Sequence, residues 1–495
     1  MKTSLKFGIS LIVLVITIIV IIILAGSVIL SLSTNNPISQ ASKAAYSSDL
    51  NNFKDELELY KLKQYSDANG RYDSALLQAD ATSVTYNGVV DNSKTINDII
   101  TSLGTSTKYN GQFVIVNGEL MFQGSDLQQQ EWANEIGVET LVLNQSVIVN
   151  KPVLASGMTA KKWDGNSWVT ISSPDTDTSW YNYTNKEWAN AQTDDGSMWV
   201  WIPRYEYMIT TPHISTEQTI SINFLNNLST ITTSGYIVHP AFTFGSIELT
   251  GIWVAKFEAS GIATAVDVKP GIASLRSITI DSAFTESRNM ETNTRYGWGT
   301  SGTGIDTHLM KNVEWGSISY LSNSIYGKNL EVTINADSNY YTGGGIGTSY
   351  ISNIAQSSTG NIYGVYDISG GAFEYTAAYV NNGHANLTTY GNSLYISANQ
   401  YKDVYTMGDD TQSGNYTANL SKVGDAIYET SLSIAASTSW YEDFSYMPYS
   451  LCPFFGRSGG YNSATGAGVF AFSYATGGAG ANYGFRPVIA ISNSL

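Results

Sequence analysis

The 495-residue chain has one cysteine, Cys452, so no disulfide can form within it. Histidine is scarce too. His213, His239, His308 and His384 lie far apart, and none stands in H-x-x-x-H or H-E-x-x-H spacing, so no sequence-local metal motif exists. No G-x-S-x-G elbow marks a serine nucleophile. The glycine-rich "TGGGIGT" lacks the lysine and spacing of a phosphate cradle. Charged residues make up 13% of the chain, about half the usual share. Basic residues are the rarer sign, and the net charge of −16 repels nucleic-acid phosphates, which excludes that partner class. What fills the chain instead is Asn, Ser, Thr, Gly (45) and Tyr (33), with 11 Trp, a composition that reads as β-rich, loop-rich and exported.

Long apolar runs are absent with one exception. Ile9 to Leu32 carries no charge and is dominated by Ile, Val and Leu. As a helix it spans roughly 36 Å, enough for a hydrocarbon core of about 30 Å. Lys2 and Lys6 precede it, favouring a cytoplasmic N-terminus and an extracellular remainder. The reading is a single-pass membrane protein, with the membrane as a partner through 9–32. After Pro37, Tyr46, Leu50, Phe53, Leu57 and Tyr60 recur at helical spacing, predicting an amphipathic helix over 33–65. The short basic leader ending in Gly8–Ile9, the apolar helix and the amphipathic continuation resemble a type IV prepilin or pseudopilin. The resemblance implies cleavage between Gly8 and Ile9, pilin or pseudopilin subunits as partners, and a place in a pilus-like filament. Val13 stands where that family has a glutamate that registers subunits.

Residues 66–150 read as a small α+β domain. "GQFVIVNGELMF" predicts a hairpin about Asn117-Gly118, and "LQQQEWANEIG" a short helix. Residues 151–197 read as a Trp-rich linker, in which Trp163, Trp168, Trp180 and Trp188 either pin turns to a neighbouring domain or form a sugar-stacking face.

From residue 198 to 495 the landmarks form a second, larger domain. "MWVWIPRYEYMI" and "GIWVAKFEAS" alternate as strands. "MKNVEWGSISYLSNSIYG" carries Val313, Ile318 and Leu321 on one helical face. "NIYGVYDISGGAFEY", "GRSGGYN" and "GFRPV" follow. In this order they resemble the formylglycine-generating, sulfatase-modifying-factor family. The expected fold class is therefore α+β: an N-terminal transmembrane, pilin-like long helix, a small α+β spacer, and a C-type-lectin-like C-terminal domain. The resemblance leaves Asp367, Glu374 and Arg486 as internal struts, and the glycines Gly364, Gly370 and Gly371 as turn or packing positions. The family's oxidases use a cysteine pair near the last segment; here that segment has none, and Cys452 reads as a small buried hydrophobe. The expectation is a non-enzyme without a required cofactor. Calcium, held by the carboxylates of "DISGG" and "GDD", is the one cofactor weighed. The alternatives are a degenerate formylglycine-generating-type enzyme acting on exported substrates, and a minor pilin.

The segment 456–487, "GRSGGYNSATGAGVFAFSYATGGAGANYGFRP", has no charge between Arg457 and Arg486. In "GVFAF", Val469 or Phe470 and Phe472 are expected inward. Tyr461, Asn462, Ser463, Ser473, Tyr474, Thr476, Asn482 and Tyr483 are expected outward, as a ligand-binding surface for an extracellular protein or glycan. Tyr, Ser, Gly and Asn are what paratopes prefer, because Tyr gives rigid amphipathic contact and small polar residues adapt. The layout resembles the variable proteins of diversity-generating retroelements, which implies a hypervariable tail.

Overall fold

The computed structural model describes residues 37–67, 95–109, 111–116, 118–124, 126–140, 149–230, 232–298 and 304–491. The chain divides into two compact units, 1–144 and 145–495.

In the first unit the helix Pro37–Asp67 buries Tyr46, Leu50, Phe53 and Leu57, with Tyr60 partly covered. The stripe predicted from the sequence is thus matched by a core of Tyr109, Phe113, Phe122 and Trp132: the first three join Phe53 through edge-to-face ring contacts, and Trp132 lies against the Tyr46 ring. The strands Phe113–Val116 and Glu119–Phe122 pair antiparallel in the register Phe113↔Phe122 and Ile115↔Leu120. Gly118 takes the positive φ (80°) that this two-residue turn demands. The helix Leu127–Glu135 starts where Asp126 accepts the Gln129 amide, a capped N-terminus.

The transmembrane, pilin-like part of the expected fold class is corrected. The described residues form a mixed α+β structure of mostly short helices and many sheets, and among them no helix is long and apolar enough to cross a membrane. The one long helix, Pro37–Asp67, carries Lys43, Asp49, Lys54, Asp55, Glu56, Glu58 and Lys61 along its length, and such a charge density does not enter hydrocarbon. Its apolar stripe is spent on the protein core. The single-pass membrane location is overturned on the same finding. Gly8, Ile9, Val13 and the 9–32 run lie outside the described residues.

The second unit contains two main sheets. The seven-stranded one is antiparallel throughout. It runs Ile305–Leu309, Pro487–Ile491, Gly251–Ala255, Met198–Pro203, Asn190–Thr193, Met158–Trp163, Trp168–Thr170 from edge to edge. The stretch expected as a linker, 151–197, therefore supplies three of its strands. Trp180 and Trp188 are buried and donate their indole N–H to the carbonyls of Asn190 (3.0 Å) and Tyr326 (2.8 Å). Trp163 and Trp168 stay half-buried in an edge-to-face pair, so the four do not make one sugar-stacking face. The helix Asn312–Ser322 is buried on almost every side, with Val313 its one half-exposed residue, and Glu314 accepts the Lys311 amide at its start (2.8 Å).

The five-stranded sheet positions the surface of interest. Phe373–Val380 pairs antiparallel with Phe454–Ser458, which pairs with Gly468–Ala475. Along its other edge Phe373–Val380 pairs in parallel with Tyr483–Phe485 and then Asp403–Tyr405. A register shift between Tyr375 and Tyr379 bends the central strand.

Candidate binding surface

The strand Gly468–Ala475 separates core from surface by position. Val469, Phe470, Ala471 and Phe472 are buried, whereas Ser473 and Tyr474 are half-buried. Asn462 and Asn482 are exposed; Tyr461, Ser463, Thr476 and Tyr483 are half-buried. All eight sequence-predicted positions thus reach solvent: 461–463 lie in the loop that joins the paired strands, and Thr476 follows the opposite end of that pairing, where Phe454 faces Ala475.

Two glycine-rich turns present them. Gly459 has φ 77°, and a Cβ there would stand 2.6 Å from the Ala467 Cα. After it Ser463 Oγ accepts the Gly460 amide (3.0 Å), closing a tight turn that holds Tyr461 and Asn462 outward. In the second turn Gly477 (φ 89°) lies against the Phe454 ring, and Thr476 Oγ1 accepts the Gly478 amide (3.3 Å). Without these glycines the backbone could not pass so close to rings and chain.

Aromatic contacts fix the tyrosines. Tyr483 stacks on Tyr375 (4.7 Å between centroids) and on Phe373 (5.4 Å), over the bare Cα of Gly456, and its hydroxyl donates to the Tyr474 carbonyl (3.3 Å). Burial pushes its hydroxyl pKa up to about 12. Tyr474 meets Tyr449 edge-on (4.9 Å) and Tyr446 at 6.1 Å. Tyr461 meets Tyr340 edge-on (4.9 Å), and the Arg276 guanidinium carbon lies 3.7 Å from the Tyr340 ring centre. Arg276, Tyr340, Phe373, Tyr446 and Tyr449 belong to this surface and were not found from the sequence. Thirty-three tyrosines offer no local signal to single out two or three. Tyr340 has a positive φ of 59°, a strained state for an aromatic residue that the backbone reveals and the sequence does not.

Beneath the surface lies a rigid ionic strut. Arg486 donates to both oxygens of Glu374 (3.0 and 2.6 Å) and to the carbonyls of Ala255 and Tyr366. Asp367 accepts from the Gly343 amide and from Asn335, and Glu258 accepts the Ala372 amide. Burial raises the carboxyl pKa of Glu258, Asp367 and Glu374; Arg486 opposes the rise at the last two. Glu258 stands well above the ordinary carboxylate range, raised first by burial and then by the Asp367 and Glu374 charges. The donors around Asp367 are N–H groups, which leaves its role structural. Among the described residues no group of three or more His, Cys, Asp or Glu is arranged to hold a metal ion. Cys452 is buried beside this aromatic layer, and burial raises its thiol pKa.

The histidines serve elsewhere. His308 is clamped between Asp306 (2.7 Å) and Glu314 (2.9 Å), and His239 sits among Tyr205, Tyr207, Phe242 and Tyr320. A concavity of about 730 Å³ in the first unit, lined by Ala41, Ser42, Tyr46, Lys108, Asp126 and Trp132 among others, gathers none of the predicted site residues.

No protein-family model matches the chain, and no curated protein matches it.

Proposed function

We propose that the chain is a non-catalytic recognition protein, binding a protein or glycan through the surface built from 461–463, 473–476 and 482–483. One observation carries this reading. Eight accessible Tyr, Asn, Ser and Thr side chains sit on short turns and strand ends whose intervening residues, Val469 to Phe472, are sealed in the core. Such an arrangement lets contact residues change without disturbing the scaffold, and the absence of charge among the eight keeps their desolvation cheap. The amides of Asn462 and Asn482 and the Ser473 hydroxyl have no protein partner among the described residues, so their donors and acceptors are free for a ligand. The aromatic rings supply apolar contact with little conformational entropy to lose.

The test is array binding with the full chain on immobilised glycans and cell-surface proteins. The comparison protein carries Tyr461→Ala, Asn462→Ala, Ser473→Ala and Asn482→Ala. These positions make no core contact, so the melting temperature should hold while binding falls at least tenfold. Binding that survives the four substitutions rejects the surface.

A further inference from the structure

Six residues close into a ring on this surface. The Arg276 guanidinium lies on the Tyr340 ring, and Tyr340 meets Tyr461. Asn462 follows Tyr461, and a Cβ at Gly460 would stand 3.4 Å from its Oδ1 and 3.1 Å from the Phe373 ring. The Phe373 amide donates to the Asn482 carbonyl (3.0 Å), and Arg276 Nη1 donates to the neighbouring Ala481 carbonyl, which completes the circuit. Phe373 and Tyr461 offer ring surface, Asn462 and Asn482 offer unpartnered amides, and Arg276 is the ring's only charge.

The Arg276 side chain is held but not satisfied. Its Nη1 is used, while its Nε–H is enclosed and has no acceptor among the described residues. Nη2 has no acceptor among the described residues and is not enclosed, so it is the donor that a ligand carboxylate can reach in a charge-assisted hydrogen bond, and stacking on Tyr340 fixes the guanidinium plane. No Leu, Ile, Val or Met enters the ring, so it has no aliphatic pocket for a peptide anchor. Aromatic faces beside free amides suit the C–H faces and hydroxyls of a sugar.

We propose that this ring binds a carboxylate-bearing saccharide, with Arg276 as the residue that selects for the acid. The inference rests on the recognition reading above and names its ligand class.

The experiment titrates the full chain with oligogalacturonate and with its methyl ester, which keeps the sugar and removes the charge. The acid should bind about tenfold or more tightly than the ester, as expected for a charge-assisted hydrogen bond. Arg276→Gln removes the charge and should erase most of that preference, lowering acid binding far more than ester binding, whereas Arg276→Lys, which keeps the charge, should retain part of it. Equal binding of acid and ester, or an acid preference that survives Arg276→Gln in full, overturns the proposal. Binding only to neutral glycans or to proteins, lost in the four-alanine variant, also overturns it but leaves the recognition reading standing. If no probe's binding depends on Tyr461, Asn462, Ser473 or Asn482, both fall.

Discussion

Two buried histidines should titrate on opposite sides of neutrality, and the chain has four in all, so each can be followed. Burial alone would drive the His308 imidazole neutral. Glu314 and Asp306, one at each ring nitrogen, outweigh it and push its pKa from 6.5 up to about 9. Glu314 shows the other half of the pair: burial would raise it, but His308 and Lys311 bring it down to about 2. A raised histidine stabilises the folded state fully below pH 6.5, and that contribution disappears as pH climbs through 9. The rise corresponds to about 3 kcal/mol. His239 lies among aromatic rings with no carboxylate at its ring, and burial lowers its pKa to about 3. The unfolded chain takes up this proton near 6.5 and the folded one does not. Stability therefore falls as pH drops from 6.5 toward 3, by about 5 kcal/mol at the end of that range. NMR of protein labelled with carbon-13 at histidine Cε1, recorded from pH 4 to 10, should show His308 titrating near 9 and His239 unshifted down to pH 4. Denaturant midpoints across the same range should peak between about 5 and 8. A His308 signal that titrates at or below 6.5 would refute the clamp, and a His239 signal that titrates near 6.5 would refute its burial as the neutral form.

Two further outcomes follow from the packing. Arg486→Met should lower stability by about 3–5 kcal/mol, because it strands Glu374 in the core without its partner; an unchanged guanidinium-chloride midpoint would show that the strut bears no weight. Gly271→Ala should cost about 3 kcal/mol or prevent folding, since φ is +70° and the new Cβ would stand 2.0 Å from the Gly347 backbone nitrogen; a melting temperature within a degree of the parent would contradict that contact.

Local pattern was enough for some of this architecture. The stripe Tyr46, Leu50, Phe53, Leu57 is set by helical period alone, and the hairpin at 113–122 by an Asn-Gly turn between apolar runs. The order "GVFAFSY" likewise separates Val469, Phe470 and Phe472 from Ser473 and Tyr474, because a strand at a sheet border has one end covered and the other wet. These features depend on neighbours a few residues away, which a sequence displays.

Other features depend on partners far along the chain. "NAQT" at 190–193 has no strand signature, yet it lies inside the seven-stranded sheet because 158–163 and 198–203 pair on either side of it. The Trp-rich stretch is sheet and core for the same reason. The run of Ile, Val and Leu at 9–32 predicts a membrane span, whereas the described long helix is charged along its length and spends its apolar stripe on protein. The binding surface shows the division most clearly. Which tail residues face outward follows from local composition, the apolar run 469–472 being covered and Ser473 and Tyr474 wet. That Arg276, Tyr340 and Phe373 join them was decided only by tertiary structure, since pairing of the 373–380 and 483–485 strands brings together side chains more than a hundred positions apart.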